Sequence, residues 1–71
     1  MMTIQELDEE LEITPAVEGL HFPAGKRQIL AQAHLNGANG DVLDALEGLE
    51  NRQFSGVADV LAEVSRVYSR N

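Results

Sequence analysis

Apolar side chains recur with helical spacing along most of this chain, and the order of the segments predicts a small helical domain. The clearest run is Val57, Val60, Leu61, Val64, Val67 and Tyr68, which follows i, i+3, i+4, i+7 and predicts a helix over 57–69. Ile29, Leu30 and Ala33 predict a second over 26–35, and Val42, Leu43, Leu46 and Leu49 a third over about 41–50. At the N-terminus Ile4, Leu7 and Leu11 make a narrow apolar stripe on an otherwise acidic segment, so a further amphipathic helix is expected over 3–13, with Thr3 and Glu6 as a capping box. No segment alternates with period two, and the fold class expected is all-α: a small bundle of three main helices plus an acidic N-terminal helix. Residues 1–13 then form an acidic arm and 14–71 a compact helical domain.

Punctuation between these runs has a mechanism in each case. Thr14-Pro15 suits an N-cap followed by proline in the first helical position, opening a short turn that stops at Gly19. Leu20 to Phe22 is expected to be extended, because the residue before Pro23 is pushed out of the α region. Gly25 is the expected cap of the next helix, with Gln28 three residues on supplying half of a capping box. Asn36-Gly37 ends that helix by tolerating positive φ, and Asn39 or Asp41 starts the following one. Gly48 falls inside the expected third helix, where it costs about 1 kcal/mol relative to alanine.

One local pattern occurs twice, 32 positions apart: Leu20-His21-Phe22-Pro23-Ala24-Gly25 and Arg52-Gln53-Phe54-Ser55-Gly56 each run into a helical segment. The chain has only two phenylalanines, one per copy, so both are expected in the core. Gln28 and Asp59 stand three residues beyond Gly25 and Gly56, placed to bond backbone donors at the helix starts. The pattern therefore concerns architecture. The core expected from it and from the helical stripes is Leu20, Phe22, Ile29, Leu30, Ala33, Val42, Leu46, Leu49, Phe54, Val60, Leu61, Val64 and Val67.

Size and charge change this picture in one respect each. With 71 residues and no cysteine, the chain makes one domain without disulfides or thiolate zinc sites, so regular helices or self-association must stabilise it. The net charge of −7 is uneven. Residues 1–20 hold six acids and no base, a net of −6, whereas 21–71 hold six acids against all five bases, a net of −1. Acidity thus belongs to the first segment. Phosphate backbones are bound by cations, so no direct nucleic-acid binding is expected and a basic protein partner is favoured. No run approaches the roughly 18 apolar residues of a membrane span, and residues 1–12 lack the basic start and apolar stretch of a secretory signal. A cytoplasmic location without membrane contact is expected.

Candidate chemistry is sparse. His21 and His34 are the only imidazoles, and no third ligand stands beside either at helical spacing. Ser55 sits at a cap position, while Ser65 and Ser69 lie on a helix with no histidine nearby in sequence. No catalytic, cofactor-binding or metal residues are assigned, and no enzyme activity is expected. A helix-turn-helix over 26–50 would present Asp41, Asp44, Glu47 and Glu50 to the major groove, four acids against a polyanion. That sign rules it out. The candidate partner-binding residues are those of the arm: Ile4, Leu7 and Leu11 for an apolar groove, with Glu6, Asp8, Glu9, Glu10 and Glu12 facing a basic rim.

Residues 14–60 also carry an ordered set of local features: Gly19-Leu20-His21-Phe22-Pro23-Ala24 and Lys26, then Ile29-Leu30 and Ala33, Asn36-Gly37-Ala38, Asp41-Val42-Leu43, Ala45-Leu46-Glu47 and Leu49, Arg52-Gln53-Phe54, and Ala58-Asp59-Val60. In these the chain resembles a bacterial family known only as domain of unknown function 2795. It departs from that family's pattern at Phe22 and Phe54, where Tyr is frequent, at Gly25, where Ser or Thr is frequent, at Gly56-Val57, where Ser-Pro is favoured, and after Leu49, where Pro is favoured. The resemblance implies a small helical bacterial domain and carries over no functional residue. The expected function is a non-enzymatic protein-interaction or regulatory module. Two alternatives stand beside it: an acidic inhibitor that imitates nucleic acid on a basic partner, and a structural homo-oligomer sharing Leu7, Leu11 and Tyr68.

Overall fold

A computed structural model describes residues 12–69 of the chain. Helix α1 spans Ile13–Ala16, strand β1 Ala24–Gly25, helix α2 Lys26–Leu35, helix α3 Gly40–Glu47, strand β2 Gln53–Phe54 and helix α4 Val57–Ser69. The described part is mostly helical. Its one departure from the all-α expectation is a two-residue antiparallel ladder that pairs Ala24 with Phe54 and Gly25 with Gln53. The two copies of the phenylalanine pattern therefore meet each other; β1 runs directly into α2, and β2 reaches α4 through Ser55 and Gly56. A ladder this short leaves no period-two signature, so hydropathy alone does not announce it.

Helix starts follow the side chains that satisfy their unpaired N–H groups. Gly25, extended at φ −86 and ψ 170, caps α2, and its own N–H donates to Gln28 Oε1 at 2.8 Å. At α3 the Val42 N–H donates to Asn39 Oδ1 at 3.0 Å, so Asn39 rather than Asp41 is the cap. Asp59 reaches one residue further back than a standard capping box, accepting from the Ser55 N–H at 3.0 Å, while the N–H groups of Asp59 and Val60 bond Gly56 O. Helix α2 ends in a Schellman motif: Ala38 N–H donates to Ala33 O at 3.0 Å and Gly37 N–H to His34 O at 3.1 Å. The left-handed residue there is Gly37, at φ 74, and Asn36 stays at φ −83.

Two boundaries differ from the sequence expectation. Thr14 is not the first cap: α1 begins at Ile13, and Glu12 stands before it in the left-handed region at φ 57 and ψ 46. Ile13 is fully buried, so the turn starts early enough to aim that side chain into the core, and Pro15 still lies within the first turn, where no N–H is needed. Helix α3 stops at Glu47, with Gly48 as its C-cap, three residues short of the expected end. Bonds from Gly48 N–H to Ala45 O and from Leu49 N–H to Leu46 O tighten the exit, and Leu49, 3% exposed, turns inward beyond the helix.

The core gathers Ile13 and Val17 from the first turn, Ala24 from β1, Ile29 and Ala33 from α2, Val42 and Leu46 from α3, and Phe54, Val60 and Val64 from the second half. Burying the Val, Ile, Leu and Phe side chains among these contributes about 1.5–3 kcal/mol each. Phe54 is fully enclosed, whereas Phe22, Leu20, Leu30 and Leu61 are only half-buried against the cluster. Val67 does not belong to it: 36% exposed, it lies a turn beyond Val64, where the core ends. Ile13, Ala16, Val17 and Ala24 join the core although the sequence pattern does not place them there. They are reached through α1 and the ladder, which no helical stripe marks. The acidic helix expected over 3–13 falls outside the described residues except for Glu12 and Ile13.

Candidate functional site

The densest concentration of polar chemistry lies where α4 crosses the segment before β2. Arg52 enters from that segment with its guanidinium 4.0 Å above the Phe54 ring, a cation–π contact that covers the core aromatic. The same group donates to Gln53 O at 2.9 Å and holds Asp59 through two bonds, 3.2 Å from Nη1 and 3.3 Å from Nη2. Glu63, only 5% exposed, accepts from Arg66 Nη2 at 2.6 Å and lies 3.7 Å from Arg52 Nη2. Glu50 closes the cluster from outside, 2.9 Å from Arg66 and 3.6 Å from Arg52.

Two guanidiniums thus serve three carboxylates across the gap between α4 and the chain leading into β2. The hydrogen bond from Arg52, then the Ser55 N–H, holds the Asp59 carboxyl below its usual range. Arg52 is pushed up chiefly by its bond to Asp59, and Arg66 chiefly by Glu63 and then Glu50. A buried carboxylate is tolerated here because both of its neighbours are donors with a fixed fork geometry. Every charged group of the cluster has a partner of opposite sign within it. Ser55 Oγ, 3.5 Å from Asp59 Oδ2, has a carboxylate beside it but no base–orienter pair. The cluster fastens α4.

A second polar constellation joins α1 to the end of α2. Asn36 Nδ2 donates to Ala16 O and Glu18 O at 2.9 Å and to Pro15 O at 3.3 Å, gathering carbonyls at and just beyond the end of α1. Gln32 Nε2 adds a bond to Glu18 O at 2.8 Å and another to Asn36 Oδ1 at 3.3 Å. Gly19, at φ 88, lies against Gln32, and a Cβ there would come within 3.3 Å of Nε2. Beside this tether is a dent of about 160 Å³, bordered by Glu12, Pro15, Ala16, Asn36, Asn39 and Val42. Ligand pockets usually start near 300 Å³, and the dent lies below that size.

Of the predicted partner-binding residues, Ile4, Leu7, Leu11, Glu6, Asp8, Glu9 and Glu10 lie outside the described residues, as does the Tyr68 side chain. Glu12 is exposed at the start of α1. The outward acids of α3, Asp41, Asp44 and Glu47, are all exposed, and Glu50 follows them into the ionic cluster. Among the described residues no cation lies in ion-pair reach of Asp41, Asp44 or Glu47. His21 and His34 are exposed, the first in the segment before β1 and the second in the last turn of α2. No three His, Cys, Asp or Glu among the described residues come together as metal ligands do, and no described helix is long and apolar enough to cross a membrane.

Sequence reasoning missed both constellations. Glu63 and Arg66 at i, i+3 were visible as a helical pair, but the reach of Arg52 and Glu50 onto α4 depends on the turn at Leu49. Asn36 presents itself as a turn residue, and its three long-range bonds have no sequence signal.

No curated protein and no solved structure matches the chain. A family described as proteins of unknown function, DUF2795, matches residues 9–61, a span that begins within the acidic segment and takes in α1 to α3, the ladder and the first turn of α4. Most of the chain lies inside that span, and the chain belongs to this family.

Proposed function

We propose that the chain is a non-enzymatic interaction module of accessory or regulatory type, cytoplasmic, that meets a basic protein partner through its acidic surface. The supporting observation is how charge is allocated. Arg52 and Arg66 are turned onto the protein's own carboxylates, while Asp41, Asp44 and Glu47 run along the exposed side of α3 with no described cation opposite them. The acids of residues 6–12 add to the same sign. A surface of this kind steers oppositely charged partners and repels phosphate backbones.

The test is capture of partners from lysate by the full chain, compared with two variants. One carries Asp41→Asn, Asp44→Asn and Glu47→Gln; the other neutralises Glu6, Asp8, Glu9, Glu10 and Glu12 as amides. A captured protein is expected to be lost from at least one variant, and from the parent at about 1 M salt, where the screening length falls to about 3 Å. Capture unchanged in both variants and at high salt would sink the proposal. The regular spacing of carboxylates along α3 favours one second reading, an acidic inhibitor occupying a nucleic-acid-binding surface. Displacement of the captured partner by duplex DNA separates that reading from the first.

A further inference from the structure

The linker from α2 to α3 contains two Asn-Gly pairs, Asn36-Gly37 and Asn39-Gly40, and the fold treats them in opposite ways. In an Asn-Gly pair the glycine nitrogen attacks the asparagine side-chain carbonyl carbon. A ring imide forms, and the side-chain nitrogen leaves as ammonia with the proton released from the attacking nitrogen. Water then opens the ring at either carbonyl, giving aspartate or isoaspartate. Three things must be available: the nucleophile, the leaving group, and a swing of ψ that brings Cβ and the next nitrogen together.

At Asn36 all three are withheld. The Gly37 N–H is engaged with His34 O at 3.1 Å in the Schellman motif. The leaving nitrogen Nδ2 is held by Pro15 O, Ala16 O and Glu18 O. The backbone sits at ψ 3, far from the ring-closing arrangement. At Asn39 the nucleophile and the leaving group are unengaged, and the swing of ψ is opposed by one bond, from Leu43 N–H to Asn39 O at 3.1 Å. Gly40 is the first residue of α3, so its N–H has no partner within the helix, and the space around its Cα is open. No described residue accepts from Asn39 Nδ2. From the extended ψ of 172 the swing to ring closure is shorter than from ψ 3. The Val42 N–H, 3.0 Å from Oδ1, is aimed at the oxygen on which negative charge develops during attack, at the positive end of the α3 dipole.

We propose that Asn39 is a site of spontaneous deamidation in the folded protein, and that the tether made by Asn36 protects its own pair from the same reaction. Opening to aspartate keeps the cap acceptor and adds a negative charge at the α3 N-terminus, beside Asp41. Opening to isoaspartate inserts an extra backbone atom ahead of α3. The acidic face of α3 thus carries a built-in position at which its charge increases with age.

The test is incubation of the full chain at mildly alkaline pH, native and in urea, followed by peptide mass mapping. In urea both pairs are expected to convert together. In the native chain conversion is expected at Asn39 while Asn36 remains intact. Gly40 has no positive φ, and a Cβ added there would meet no neighbour within 4 Å, so Gly40→Ala folds normally and is expected to lose the modification over the same period. Native conversion of Asn36 as early as Asn39 overturns the proposal. So does an unmodified Asn39 in the native chain after the urea sample has converted.

Discussion

Single side chains in this protein do work usually given to whole elements. Asn36 joins the shortest helix to one of the longest, and its amide answers three carbonyls with one nitrogen. Removing it takes the donor from Ala16 O, while Pro15 O keeps the Glu18 N–H and Glu18 O keeps Gln32 Nε2. Asn36→Ala is expected to lower stability by about 1–3 kcal/mol, read from urea unfolding with an unchanged slope. A loss below a few tenths would mean that water replaces the amide without penalty. Arg52 works at the same scale, lying on Phe54 while bonding Asp59. Neither role is written in the local sequence: an asparagine before glycine signals a turn, and an arginine near a phenylalanine signals nothing. Partners 18 to 21 residues away decide what Asn36 does.

Elements were legible where their signals are local. Helices α2 and α4 follow from their apolar stripes, the Gly25 cap with its Gln28 partner follows from residue type, and the α3 cap was narrowed to Asn39 or Asp41. Ends set by tertiary packing were not. Glu12 precedes α1 in place of Thr14 because Ile13 must face inward, and α3 stops early because Leu49 turns into the core. The two glycines near helix ends therefore differ in kind. Gly37 needs its positive φ of 74, so Gly37→Ala is expected to destabilise by about 1–2 kcal/mol. Gly48 sits at φ −77, and an added Cβ meets Ala45 O at 3.4 Å, ordinary contact. Gly48→Ala is expected to be neutral or to gain up to about 1 kcal/mol. Paired thermal melts check both, and equal losses at the two positions would refute the assignment of the left-handed cap.

At the scale of the molecule, the Asn36 tether is joined by two further long-range devices in a chain with no cysteine: the ladder between the phenylalanine segments, and the ionic cluster that fastens α4. The ionic cluster imposes a pH dependence. Asp59 is depressed in the folded state by Arg52 and by the Ser55 N–H, so the unfolded chain binds its proton more readily. Its contribution is complete above the ordinary carboxylate value of about 3.9 and is lost as pH falls through the lower folded value. Stability is expected to drop in acid, and Asp59→Asn to show a smaller drop over the same range, measured as urea midpoints from neutral pH downward. Parallel curves for the two proteins would remove Asp59 as a source of the drop. The candidate surface was legible only as charge, because solvated acids leave no geometric trace for a sequence pattern to fix. The family match is equally silent on it, spanning core, caps and acids alike.

The ladder has a consequence for where the chain tolerates being cut. Ala24 and Phe54 belong to opposite sides of the linker between α2 and α3, yet they share one pairing and one core. Severing that linker would leave two pieces, one ending in α2 and the other holding α3, β2 and α4. Neither piece contains a complete core, and helices of this length are marginal alone in water. Each half therefore lacks what the other supplies to the ladder and the core.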